Sequence, residues 1–135
     1  MTAGGLVDLD REECFRLLGR GMVGRVAFTD RAMPAVQPVT YLLAGEEIVF
    51  RIGGGSPLAA SVRHTVVAFQ VDEIDTECRS GWTVCGIGET SHVVDPARLA
   101  ALAGRRLDWW VTGSDSRVIS VRLRLVTGRR LGGSA

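Results

Sequence analysis

Phe50-Arg51-Ile52-Gly53-Gly54-Gly55-Ser56-Pro57-Leu58 is the stretch on which the fold turns: an extended run breaks into three glycines and a helix starts at once. Ser56 suits the N-cap, because its hydroxyl accepts from an orphan N–H of the first turn. Pro57 suits the first helical position, where proline has no donor to lose. Two readings of the loop stay open. Glycines let a backbone approach an anion closely, and exposed N–H groups with the helix dipole favour a phosphate there; the other reading is a capped surface loop. Arg51 likewise has two readings, a cation facing that phosphate or the wet side of a strand whose apolar side carries Phe50 and Ile52. The helix opened here, about 56–63, is too short for the crossover of a dinucleotide-binding βαβ unit, which disfavours a doubly wound sheet.

Upstream, Asp10 caps a helix with Glu13 at capping-box spacing, and Cys14, Leu17 and Leu18 form its apolar stripe up to the glycines at 19 and 21. The period then changes to two. Strands are expected at about 22–29, 35–43 and 48–52. Pro34 and Pro38 each remove a ladder donor, so the second of these must be an edge or carry a bulge, with backbone free for a ligand. Downstream, strands are expected at 66–71, at 82–94 with a bulge or bend at Gly86 and Gly88, and at 119–125. In the last, Ile119, Val121, Leu123 and Leu125 face one way and Ser120, Arg122 and Arg124 the other. Asp72 to Asp75 and the polar residues after them read as a solvated loop. Asp95-Pro96 starts a small helix running to Gly104. Six strands with hairpin links and few helices point to a mainly β protein, an antiparallel barrel with small peripheral helices.

The 135 residues, 46% hydrophobic and 23% charged, suit a single domain (1–135) with loose ends at about 1–7 and 132–135. A net charge of +1 gives no field for nucleic acid or an anionic membrane. All the basic side chains are arginine, so any side-chain cation on a phosphate is a planar guanidinium. Three cysteines without a C-x-x-C pair, and a start lacking signal-peptide features, lead to the expectation of a reduced, cytoplasmic protein. No apolar run approaches the length of a membrane span. His64 and His92 have no partner at metal-ligand spacing, so no metal is assigned.

In their order, these landmarks resemble the pyridoxamine 5'-phosphate oxidase-like flavin-binding split barrels over about 10–131. Glu13-Cys14-Phe15-Arg16-Leu17-Leu18 leads into Gly24-Arg25-Val26-Ala27, then Pro34-Ala35-Val36-Gln37-Pro38-Val39-Thr40-Tyr41 and Ile48-Val49-Phe50-Arg51. Gly55-Ser56-x-Leu58, Val67-Ala68-Phe69-Gln70-Val71-Asp72, Gly81-Trp82-Thr83-Val84, Gly88 and Thr127-Gly128-Arg129-Arg130-Leu131 follow.

The resemblance implies a six-stranded antiparallel split β-barrel (Greek key) and a homodimer with flavin mononucleotide (FMN) in the cleft between subunits. It places Gln37, Pro38, Val39 and Thr40 along the ring, Arg51, Ile52, Ser56 and Arg63 at the phosphate, and Trp82 and Thr83 beside the ring. Pro57 departs from the family, whose members commonly carry a lysine or arginine there, so the cationic contact passes to Arg51 or Arg63. Trp82, Trp109 and Trp110 also suit core or interface anchors.

The implied activity is a flavin-dependent oxidoreductase on a small-molecule substrate. With no nucleophile–base pair in the sequence, no catalytic side chain is assigned. One variant uses a deazaflavin coenzyme, its acidic tail met by Arg63, Arg129 and Arg130. The rival is a non-catalytic dimer binding flavin, haem or nothing.

Overall fold

A computed structural model describes residues 6–61, 64–102, 105 and 115–132. Arg63, Trp109, Trp110 and Gly104 lie outside the described residues. Chain order is β1 (Val7–Leu9), α1 (Arg11–Leu18), β2 (Val23–Asp30), β3 (Met33–Ala44), β4 (Glu47–Ile52), α2 (Pro57–Ser61), β5 (Val66–Asp75), β6 (Ser80–His92), α3 (Pro96–Leu102) and β7 (Arg117–Gly132).

The six expected strands close a ring in the order β7-β4-β3-β2-β5-β6, with β6 pairing back onto β7, and every pairing is antiparallel. Strand β5 returns to lie beside β2 after the β2-β3-β4 meander, which is the Greek-key order. At 16 residues, β7 is long enough to hold β4 with its first half and the three-residue β1 with its second. Val7 and Gly132, expected to be loose, are therefore both paired in strands: Val7 with Arg130 and Gly132 with Ser80.

Phe50, Phe69, Leu17, Leu18, Ile48, Ile119 and Leu123 are fully enclosed in the barrel, and α1 closes one end. Helix α1 forms as its sequence directs. The Glu13 N–H donates to Asp10 Oδ1 at 2.8 Å, and Cys14, Leu17 and Leu18 are buried. The Glu13 carboxylate takes Arg16 at 2.6 Å and Arg130 at 3.2 Å, tying the helix to β7. A second, smaller apolar cluster sits under α3, where Leu99 and Leu102 meet Leu42, Val49, Val93 and Val118.

Two local expectations change. Residues 72–75, expected in a loop, continue β5, because the ladder to β6 runs on from Val71↔Val84 to Asp75↔Ser80. The Gln70 amide supports it there, donating to Asp72 Oδ2 at 2.7 Å and Thr83 Oγ1 at 3.1 Å. The turn comes after, where Asp75 Oδ1 accepts from the N–H groups of Glu77 and Cys78 at 3.0 and 3.1 Å.

The second change is in β7. The ladder with β6 shifts register between Ile87 and Gly88, which oppose Leu125 and Leu123, leaving Arg124 as the extra residue. A bulge reverses which face each later side chain takes. Ile119, Val121 and Leu123 are buried as expected, but Leu125 turns outward and is 64% exposed. Gly88 permits the approach of strands at this point: a Cβ there would sit 2.0 Å from the Arg122 carbonyl oxygen. Ser120, expected on the wet face, is buried opposite Val49 in the β4–β7 ladder.

Candidate functional site

The barrel is split where β3 and β4 part. Their ladder runs from Ala44↔Glu47 to Tyr41↔Phe50 and stops. Thr40 and Arg51 would be the next opposed pair. Among the described residues, β3 from Met33 to Thr40 is paired only with β2, which leaves its other edge free of strand partners there. Both Pro34 and Pro38 lie in this one-sided half, as their missing donors require.

The gap is a notch of about 230 Å³ that brings together Gln37, Pro38, Val39, Thr40, Arg51 and Ser56, with Gly53 at its mouth. Ser56 turns the chain into α2: its Oγ accepts from the Leu58 N–H at 3.1 Å and donates to Gln37 Oε1 at 2.8 Å. The loop serine is thus both the helix cap and the tether that holds Gln37 against the loop. Of the three glycines, only Gly54 is required by packing, since a Cβ there would lie 2.6 Å from the Asp115 carbonyl oxygen. A Cβ at Gly53 or Gly55 would meet nothing within 4 Å among the described residues.

Among the described residues, Arg51 is the charged residue that lines the notch. Its Nη1 donates to Ser116 Oγ at 2.9 Å, while its Nε is buried with no partner among the described residues. A half-buried guanidinium with unmatched donors is a site for an oxygen-rich anion, because the fork geometry of arginine matches carboxylate and phosphate. Since α2 is five residues long, the guanidinium, rather than the helix dipole, provides the positive charge.

The other predicted residues are placed differently. Ile52 is fully buried in the barrel core, so it can offer the notch main chain only. Trp82 is 4% exposed and packs inward, its Nε1 enclosed without a partner among the described residues. Thr83 points outward from β6 and is bound to Gln70. Neither comes to the notch of its own chain. Arg129 and Arg130 are engaged by Asp8 at 3.5 Å and Glu13 at 3.2 Å and do not line the notch. Ser116 was missed by sequence reading: it lies 65 positions from Arg51, with no pattern linking the two.

The outer face of the barrel carries one further feature. Val36, Ala27, Ala68, Ile87 and Leu125 are register neighbours across five strands and form an unbroken outward apolar row. Val36 and Leu125 are 65% and 64% exposed. The row begins beside the notch, two residues from Pro38, and its far end exists because of the β7 bulge.

A six-stranded antiparallel ring opened at one seam, with a cationic notch in the opening, defines a split-barrel protein. The family model for pyridoxamine 5'-phosphate oxidase matches residues 10–130, and the chain belongs to that family. It is 34% identical to the uncharacterized protein Rv0080 of Mycobacterium tuberculosis, covering 96% of this chain and 88% of that one. Among solved structures, the FAD binding protein from Mycobacterium smegmatis superposes with a TM-score of 0.81 at 26% identity, covering 93% of this chain and 98% of that one. A FAD-binding protein from Mesorhizobium loti superposes at 0.80 and 22% identity, covering 94% and 99%.

Proposed function

We propose that this chain is a flavin-dependent oxidoreductase that works as a homodimer, with FMN held at the seam between two copies. The observation that carries this reading is Arg51, a guanidinium whose buried Nε has no partner among the described residues, in the notch where β3 loses its neighbour. Arg51 takes the phosphate. Gln37, fixed by Ser56, adds an amide, and the free edge of β3 from Pro38 to Thr40 offers main-chain groups to the ring. Bound flavin supplies the electron exchange, and the chain supplies position and dryness. Among the described residues no histidine or carboxylate lines the notch, which suits chemistry run by a coenzyme rather than by a side-chain acid or base.

The second copy is needed for two reasons. A notch of about 230 Å³ is smaller than the roughly 300–1,000 Å³ of sites that enclose a whole ligand of this size, so the ring needs a second wall. The apolar row from Val36 to Leu125 adjoins the notch and is a surface that water covers poorly. A partner seated on that row would also bring Thr83, which shares the outer face, towards the coenzyme cleft. The FAD-binding name of the M. smegmatis relative supports a flavin. Arg129 and Arg130 do not line the notch, which supports a flavin over a deazaflavin with a longer acidic tail.

Adding FMN to the purified protein tests the reading. The expected result is a bound flavin spectrum that bleaches with dithionite and returns in air. A protein that takes up neither FMN nor FAD, or that carries a haem band instead, overturns it.

A further inference from the structure

On the outer face, the row of side chains next to the apolar one is Pro38, Arg25, Gln70, Cys85 and Thr127, again register neighbours across the sheet. Arg25 stands directly opposite Pro38 on one side and Gln70 on the other. Its neighbours in sequence, Gly24 and Val26, are buried, so Arg25 points outward, and it is exposed. Among the described residues no hydrogen bond or ion pair holds its guanidinium. Gln70, its neighbour, already donates its amide to Asp72 and Thr83. Neither Asp72 nor Glu89, the carboxylates on the outward faces of β5 and β6, is paired with Arg25.

The two rows are about 7 Å apart, two residues along each strand. A second copy covering the apolar row therefore covers Arg25 as well. Burying a cation without a counter-charge costs several kcal/mol, so a dimer on this face needs an anion at Arg25 from outside its own chain. Pro38 connects Arg25 with the notch, because it is both the residue opposite Arg25 and part of the notch wall. The two guanidiniums thus flank the same stretch of β3, Arg51 across its free edge and Arg25 across its paired edge.

We infer that Arg25 is a second coenzyme-binding cation: Arg51 holds the phosphate, and Arg25 faces the ring, where it favours the reduced flavin. This rests on the flavin reading above. Reduced flavin carries negative charge on its ring near neutral pH, whereas the oxidised ring is neutral, so a nearby fixed cation binds the reduced form more tightly. In the reduced state the coenzyme then supplies the charge that Arg25 faces across the dimer.

The test compares wild type with Arg25→Gln and Arg25→Lys, measuring FMN affinity by fluorescence quenching, the midpoint potential of the bound flavin and the mass in solution. The inference expects a dimeric Arg25→Gln protein that binds oxidised FMN only a few-fold more weakly. Its potential falls by about 30 mV for each tenfold preference for reduced flavin that is lost. Arg25→Lys, which keeps the charge, should hold most of the potential. An unchanged potential in a flavin-loaded Arg25→Gln dimer overturns the inference and leaves the flavin reading standing. A monomeric Arg25→Gln protein also overturns it, by making Arg25 an interface residue. Failure of wild type to take up flavin removes the reading and the inference together.

Discussion

Arg51 and Ser56 divide the work of the notch between charge and shape. Among the described residues the Arg51 guanidinium bonds to Ser116 and its buried Nε has no partner, so its removal should harm ligand binding more than folding. Hydrogen bonds to charged groups are worth about 1.5–3 kcal/mol, and Arg51→Ala is expected to weaken FMN roughly tenfold to a hundredfold. It should also flatten the dependence of affinity on salt. A titration at two ionic strengths checks this, and an identical salt curve would assign Arg51 to the solvated face of β4. Ser56→Ala removes the cap of α2 and the tether of Gln37 together. Chemical denaturation should show a loss of about 1 kcal/mol, with weaker FMN binding beyond what that loss explains. Sequence alone made Ser56 a cap and a phosphate donor. The structure keeps the cap and redirects the hydroxyl proton to Gln37, a partner 19 positions away that no local pattern announces.

At the scale of the element, the bulge between β6 and β7 sets more than local geometry. The glycines at 86 and 88 announced a break in the strand, but not which strand would carry the extra residue. Alternation therefore predicted Leu125 in the core, and Arg124 on β7 reversed it. The same limit applies to residues 72–75. Their acidic composition reads as a loop, and only the long-range ladder to β6 makes them strand. Elements set by local chemistry, such as the Asp10-capped helix and the one-sided strand with its two prolines, were legible because their signals lie within a few residues. Gly88→Ala places a Cβ against the Arg122 carbonyl and should cost about 1–3 kcal/mol, read as a lower denaturation midpoint. If Gly88→Ala is neutral, the bulge is not pinned by that contact. Acid should loosen the tie between α1 and β7: Arg16 first, and Arg130 with it, holds the Glu13 carboxyl below its usual range. The unfolded chain then binds more protons than the folded one as pH falls, so this contribution is present above the ordinary carboxylate range and lost on acidification through the lowered pKa. Glu13→Gln should reduce the acid sensitivity of the folded state, and an unchanged pH profile would deny the tie any role.

For the whole molecule, the barrel was legible because six period-two segments joined by short links leave few alternatives. The seam was legible only in part. Proline at 34 and 38 marked a strand with a free edge, and the glycine loop marked where a ligand approaches. The outward apolar row could not be read, since it is assembled from five strands and one of its members owes its direction to the bulge. That row now carries the dimer in this account. Leu125→Glu replaces a side chain that is 64% exposed in the single chain, so the fold should survive while association fails. Sedimentation should then give monomers that no longer retain FMN. Dimers with full flavin content would move the interface elsewhere.

The central claim, that two copies close over a flavin at the split between β3 and β4, is tested most directly by native mass spectrometry of the FMN-loaded protein. The account predicts a dominant species of two chains with two flavins, and a clearly lower flavin occupancy for Arg51→Ala at the same FMN concentration. A single chain retaining FMN, or a dimer that never carries one, would contradict it.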